Sequence, residues 1–135
     1  MNYTTSDKGN IGEAAFRLWC AKNKYICGKA DDKSSYDFFL DRQDGCILRV
    51  QVKYRTPNKD GRIGIKLKPT DDQNNNYFDY TSGSIDAFAV YNSLSGQIAL
   101  VLINDIPTDQ SYFFLLCRDS QIEKSNSRLF EDYIV

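Results

Sequence analysis

Three short segments hold residues whose types and spacing could do chemistry. Lys8-Gly9-Asn10-Ile11-Gly12-Glu13 places a glycine-flanked carboxylate near the start of a helical pattern. Tyr36-Asp37-Phe38-Phe39-Leu40 embeds an acid in an aromatic, apolar strand. Val50-Gln51-Val52-Lys53-Tyr54 reads as a strand with Gln51 and Lys53 on one face and Val50, Val52 and Tyr54 on the other. A carboxylate in apolar surroundings is costly unless it is paired or bound to a metal. If residues 36–40 and 46–54 pair as a hairpin, Asp37 comes close to Gln51 and Lys53. Two acids, a side-chain carbonyl and an ammonium then converge. Glu13, Asp37 and Gln51 are hard oxygen donors, the set that suits Mg²⁺, with Mn²⁺ as a substitute, rather than zinc. Such a site could hydrolyse a phosphodiester: the metal polarises the phosphate and lowers the pKa of a bound water. Lys53 would orient or deprotonate that water, or neutralise charge in the transition state.

Each residue alone has an ordinary explanation. A Glu near a helix N-terminus serves the helix dipole. An Asp can cap or pair with an arginine, and a Gln-x-Lys strand can be a solvated face. The order Glu, Asp, then Gln-x-Lys, on helix, strand and strand, is what distinguishes the set.

The elements that must position these residues are legible in outline. Residues 5–24 read as a helix, capped by Thr5, Ser6 or Asp7, with Ile11, Ala14, Leu18 and Ala21 recurring on one face. Tyr25–Cys27 is a short strand, 28–35 a polar loop, and 36–40 and 46–54 a hairpin around a turn ending in Asp44-Gly45. Ile63, Ile65 and Leu67 alternate with Arg62, Gly64, Lys66 and Lys68, giving one buried and one basic face. Residues 69–84 form a long polar connection, in which Tyr77, Phe78 and Tyr80 suit interface packing better than base stacking. Two apolar strands, 86–91 and 97–103, and a third at 112–117 follow. The tail with Leu129, Phe130, Tyr133 and Ile134 is too apolar to be disordered throughout. With no repeat or linker, the 135 residues are expected to form one α/β (α+β) domain around a central mixed β-sheet flanked by helices.

The sequence has no histidine, which rules out a Ser-His-Asp triad, a Cys-His pair and a histidine base. Cys20, Cys27, Cys46 and Cys117 include no Cys-x-x-Cys pair and are read as reduced thiols. Neither a signal peptide nor a membrane span is expected, and the protein is read as cytoplasmic. The net charge is −1, but its placement is one-sided. Between Arg49 and Lys68, seven basic residues face one acid, Asp60, a local +6 against −7 elsewhere. Such a surface suits a polyanion, although a solvated hairpin would look the same.

The three segments together resemble the PD-(D/E)XK nucleases, a family with the restriction-endonuclease-like fold. The resemblance covers about residues 5–105 and is closest to intron-encoded homing endonucleases and archaeal Holliday junction resolvases. Lys8-Gly9 with Gly12-Glu13 resembles the first-helix motif, Tyr36-Asp37-Phe38 the metal-binding aspartate, and Gln51-Val52-Lys53 the (D/E)-x-K. Ile85–Tyr91 resembles the strand after the active site. The departure is Gln51, which brings no negative charge where most members have an acid.

The resemblance implies a Mg²⁺-dependent, site-specific endonuclease of double-stranded DNA, with Glu13, Asp37, Gln51 and Lys53 as its active site. Lys8, Arg55, Lys59, Arg62, Lys66 and Lys68 are the expected DNA contacts. Cutting both strands needs two active sites, so a homodimer or homotetramer is expected. The alternatives are a structure-specific nuclease similar to a junction resolvase, against which a pI of 5.4 weighs, and a catalytically silent DNA-binding module, which Gln51 would favour.

Overall fold

The structure is a computed structural model that describes residues 2–68, 79–80, 83–107, 109–119 and 128–135. The connection expected over 69–84 lies mostly outside them, as do Tyr77 and Phe78.

Helix α1 runs Thr5–Lys22. Its cap is Thr4, one residue before the expected candidates. Thr4 Oγ1 accepts from the Asp7 amide (3.0 Å), and the Thr4 amide donates to Asp7 Oδ2 (2.9 Å). This reciprocal pair satisfies two N-terminal amides at once, and hydrogen bonding from the Thr4 amide, then from the Thr4 side chain, holds the Asp7 carboxyl below its usual range.

The strands are β1 (Ile26–Lys29), β2 (Phe38–Asp41), β3 (Ile47–Arg55), β4 (Arg62–Lys66), β5 (Ala87–Asn92), β6 (Ile98–Leu102) and β7 (Tyr112–Leu116). Five of them form a mixed sheet in the order β1-β2-β3-β5-β6. All its pairings are antiparallel except β3 with β5. The expected hairpin is present as β2–β3, with Phe38 opposite Val50. Gly45 sits in its turn at φ +95°, a conformation that suits glycine. The remaining strands, β4 and β7, pair antiparallel as a separate two-stranded ribbon.

The central sheet has a different layer on each face. On one side α1 packs Phe16 and Cys20 against Phe38, Leu40, Val50, Ala87, Ala89, Ile98 and Leu100. On the other, Ile63, Ile65, Leu67, Phe113 and Leu115 of the ribbon segments pack against Phe88, Val90, Ala99 and Val101. Strands β5 and β6 are thus buried on both faces, which is why they read as nearly unbroken apolar runs. Phe130, from the apolar tail, is fully buried against the ribbon side. The expected α+β architecture around a mixed sheet is present, and among the described residues α1 covers one face and the ribbon the other.

The helix face differs from the expected one. Gly12, Phe16 and Cys20 are buried, whereas Ala14 and Ala21 are exposed and Leu18 is 56% exposed. The cause lies in shape. Gly12 meets β3 closely: a Cβ there would stand 3.5 Å from both Tyr54 Cβ and Val52 Cγ1. That approach sets the helix low on the sheet and turns the i, i+4, i+8 row of Gly12, Phe16 and Cys20 inward. Leu18 instead borders a surface groove with Trp19, Tyr91 and Ile98.

No helix of the described residues is long and apolar enough to cross a membrane.

Candidate active site

Asp37 sits just before β2, where β1, β2 and β3 meet. Its amide donates to the Val50 carbonyl (2.8 Å), and its carbonyl accepts from the Ala30 amide (2.9 Å). Its carboxylate Oδ2 accepts from the Val52 amide at 2.9 Å. The acid is therefore anchored to the strand that carries Gln51 and Lys53. Burial pushes its pKa up; the Val52 bond opposes this, nearby Glu13 adds to it, and Lys29 and Lys53 counter it.

Glu13 and Lys53 reach this point from opposite faces. Glu13 follows Gly12, which lies over Val52 and Tyr54 on the helix face. Gln51 and Lys53 are in register with Phe88 and Val90 of β5, so they project to the ribbon face. Glu13 and Lys53 both act electrostatically on Asp37 at the end of the sheet. Lys53 Nζ lies 5.1 Å from the centroid of the Tyr80 ring. Burial lowers the Lys53 pKa to about 8, helped by the charge of Arg55 and opposed by Asp37. Gln51 is half-buried, and among the described residues no hydrogen bond joins it to Glu13 or Asp37.

The set fits a hard divalent cation in kind. Among the described residues no three His, Cys, Asp or Glu side chains gather in one place. The available donors are two carboxylates, Glu13 and Asp37, and the amide oxygen of Gln51. Mg²⁺ is commonly held by one or two carboxylates, with water and substrate phosphate completing its shell.

One neighbour of the site escaped the sequence reading, and a second was read there only as an aromatic suited to interface packing. Lys29 Nζ lies 2.7 Å from Glu13 Oε1, and Tyr80, buried in the core, flanks Lys53. Burial raises the Tyr80 hydroxyl to about 12, and Asp37 adds to the effect. Lys29 could have been found by extending β1 two residues, since it pairs with Phe38 next to Asp37. Tyr80 carries no local signal.

The basic residues divide. Arg49 donates to both oxygens of Asp86 at 3.0 Å and joins β3 to the start of β5, which holds the Asp86 carboxyl below its usual range. Arg55 is half-buried; its Nε donates to the Gly64 carbonyl (3.2 Å) and its NH1 to the Tyr54 carbonyl (2.8 Å). Lys8 and Lys59 are exposed, on α1 and on the β3–β4 loop. Arg62 is exposed on the outer face of the ribbon, with Cζ 5.7 Å from the Phe114 ring centroid. Lys66 and Lys68 are half-buried at the other end of β4. The outer face also carries Tyr112 and Phe114, 41% and 50% exposed, with nearly parallel rings 6.2 Å apart. A groove of about 700 Å³ is bordered by Lys59, Asn92, Cys117 and Glu131, and by none of the candidate catalytic residues.

Comparison with known proteins agrees with this architecture. A family model described as PD-(D/E)XK endonuclease matches residues 3–135. A solved structure titled as a bacterial homing endonuclease, I-Ssp6803I, is similar with a TM-score of 0.69 and 21% identity, over 98% of this chain and 88% of that one. At that identity the likeness concerns the fold. No curated protein matches the chain. With a restriction-endonuclease-like mixed sheet and a family match over nearly its whole length, the chain belongs to the PD-(D/E)XK endonuclease family.

Proposed function

We propose that the protein is a Mg²⁺-dependent endonuclease that cuts double-stranded DNA at specific sites, in the manner of a homing enzyme, and that it works as a homodimer or homotetramer. The observation that carries this reading is Asp37, an acid fixed by the Val52 amide on the strand bearing Gln-x-Lys, with the charges of Glu13 and Lys53 near enough to act on it. Glu13, Asp37 and Gln51 would hold the ion, with Mn²⁺ as a substitute. When bound, it supplies a Lewis acid for the scissile phosphate and lowers the pKa of water. Asp37 keeps its orientation through the Val52 bond. Lys53, with its pKa near 8, would orient the attacking water and, as the neutral amine, take its proton to become the ammonium. Tyr80 packs beside the Lys53 ammonium and limits its exposure to water.

DNA contact is assigned to the basic set of Lys8, Arg55, Lys59, Arg62, Lys66 and Lys68, with the exposed Tyr112 and Phe114 beside Arg62 on the ribbon. A two-stranded ribbon has the dimensions to enter a major groove. Arg55 spends two of its donors on backbone carbonyls, so its part is the smaller. A second reading, a silent DNA-binding module, draws on one observation: among the described residues no third acid joins Glu13 and Asp37, and Gln51 adds no charge.

The test is digestion of a plasmid library in Mg²⁺ by wild type and Asp37→Ala, side by side. Discrete cuts by wild type alone support the nuclease. Inertness in both Mg²⁺ and Mn²⁺, in a protein that still shifts DNA in a gel, selects the silent module.

A further inference from the structure

Lys29 has no part in the chemistry so far, yet it is tied to the site by two contacts and by its charge. Its ammonium lies 2.7 Å from Glu13 Oε1. It stands 5.0 Å from the centroid of the Phe38 ring, the residue after Asp37. Its charge also acts on Asp37. The backbone holds it there: Lys29 pairs with Phe38 across β1–β2, and the next amide, Ala30, donates to the Asp37 carbonyl. Both ends of the pair are partly open to water, with Lys29 and Glu13 side chains 40% and 32% exposed. An ion pair this exposed contributes little to stability. Its position matters more. Two carboxylates near one another repel unless a cation accompanies them, and Lys29 brings one from within the chain.

We propose that Lys29 is a built-in counter-ion that occupies Glu13 in the metal-free protein and competes with the divalent ion for that carboxylate. The inference rests on the metal-site reading above. Binding of the ion requires Glu13 to exchange its Lys29 partner for the metal. The released ammonium, on its flexible stem, is then free to turn to another anion, and the DNA phosphate is the nearest in kind. Lys29 thereby lowers the affinity for metal in the absence of DNA and couples metal uptake to substrate. Arg17, also stacked on the Phe38 ring at 4.8 Å, leaves Glu13 to Lys29 in the structure.

The test is Mn²⁺ titration of DNA-free protein, by calorimetry and by the electron paramagnetic resonance of free Mn²⁺. Four proteins form a cycle: wild type, Lys29→Met, Glu13→Gln and the double variant, with Lys29→Gln as a second neutral replacement. Lys29→Met is expected to bind Mn²⁺ about tenfold tighter than wild type, the scale of removing one nearby like charge at a partly exposed site. In the Glu13→Gln background the same change is expected to matter less than about twofold, the limit of additivity for uncoupled changes. Unchanged or weaker binding by both Lys29 variants overturns the proposal. So does an equal gain in the Glu13→Gln background, because simple repulsion from the ion needs no Glu13. Asp37→Ala separates the two layers. If it binds Mn²⁺ as wild type does, or wild type binds none, the metal-site reading itself falls and takes this inference with it.

Discussion

Replacing Asp37 by Asn and by Ala should have opposite structural consequences and the same catalytic one. The Asp37 carboxylate accepts one bond from the partly buried Val52 amide. Asn keeps an oxygen for that amide and loses only the charge, whereas Ala leaves the donor unsatisfied, at a cost of about 1–3 kcal/mol. For a domain of this size, 1 kcal/mol moves the Tm by about 3–5 °C. Asp37→Ala should therefore melt several degrees below Asp37→Asn, both in EDTA. The sign relative to wild type follows from the pKa. Burial raises it in the folded protein above the ordinary 3.8. The folded state then holds its proton more tightly than the unfolded state, and stability falls as pH rises between the two values. At neutral pH wild type carries that penalty and Asp37→Asn does not, so the Asn variant should be as stable as wild type or more so. The gap should close below pH 3.8. Cleavage in Mg²⁺ should drop at least about 10²–10³-fold in both variants, as when a single electrostatic stabiliser is removed. Thermal melts from pH 3 to 8, with cleavage assays alongside, read both effects. An Asn variant that is destabilised as much as the Ala variant would refute the reasoning, because it would mean the charge itself holds the fold.

Three further outcomes are expected. Gly12→Ala should fold normally, since its Cβ would stand at ordinary contact distance from Val52 and Tyr54; Gly12→Val should cost about 1–3 kcal/mol by overpacking and reduce cleavage by lifting Glu13, both checked by denaturation and cleavage assay. Arg62→Ala should lower the slope of log affinity against log salt for duplex DNA by about 1, while Phe114→Ser should weaken binding with the slope intact; a titration in Ca²⁺ that shows neither removes the ribbon from the interface. Arg49→Met should cost about 1 kcal/mol at neutral pH, the scale for a half-exposed ion pair. Because Arg49 depresses Asp86, that difference should be complete above pH 3.8 and vanish as pH falls through the folded value, as chemical denaturation across pH will report.

What was legible in the sequence were features that local periodicity writes directly. The alternation of Ile63, Ile65 and Leu67 gave the buried side of β4, and Asp44-Gly45 marked the β2–β3 turn. The same hairpin ties Asp37 to the strand that carries Gln51 and Lys53, through the Val52 amide. The helix face was misread because an aliphatic count ranks Ile11 and Leu18 above Gly12. A glycine has no side chain to signal that it is the point of closest approach. The pairing of β4 with β7 joins segments that are distant in sequence, and nothing in either strand names the other. Lys29 was missed through a boundary: a strand ended at Cys27 hides a residue whose meaning comes from its register with Phe38.

The parallel pairing of β3 and β5 also bears on how the chain reaches its native state. Glu13, Lys29, Asp37, Gln51 and Lys53 all lie within the first 55 residues, on α1 and an antiparallel meander of close neighbours. Such contacts close quickly because the loops between them are short. The partner that buries the other side of β3 begins at Ala87, after β4 and a long crossover. The contacts that lock Lys53 in place, β5 beside it and Tyr80 over it, thus depend on the slower, long-range closure. During synthesis the candidate residues emerge first and the strands that hold them in place emerge last, so the proposed site can be assembled only once the second half arrives.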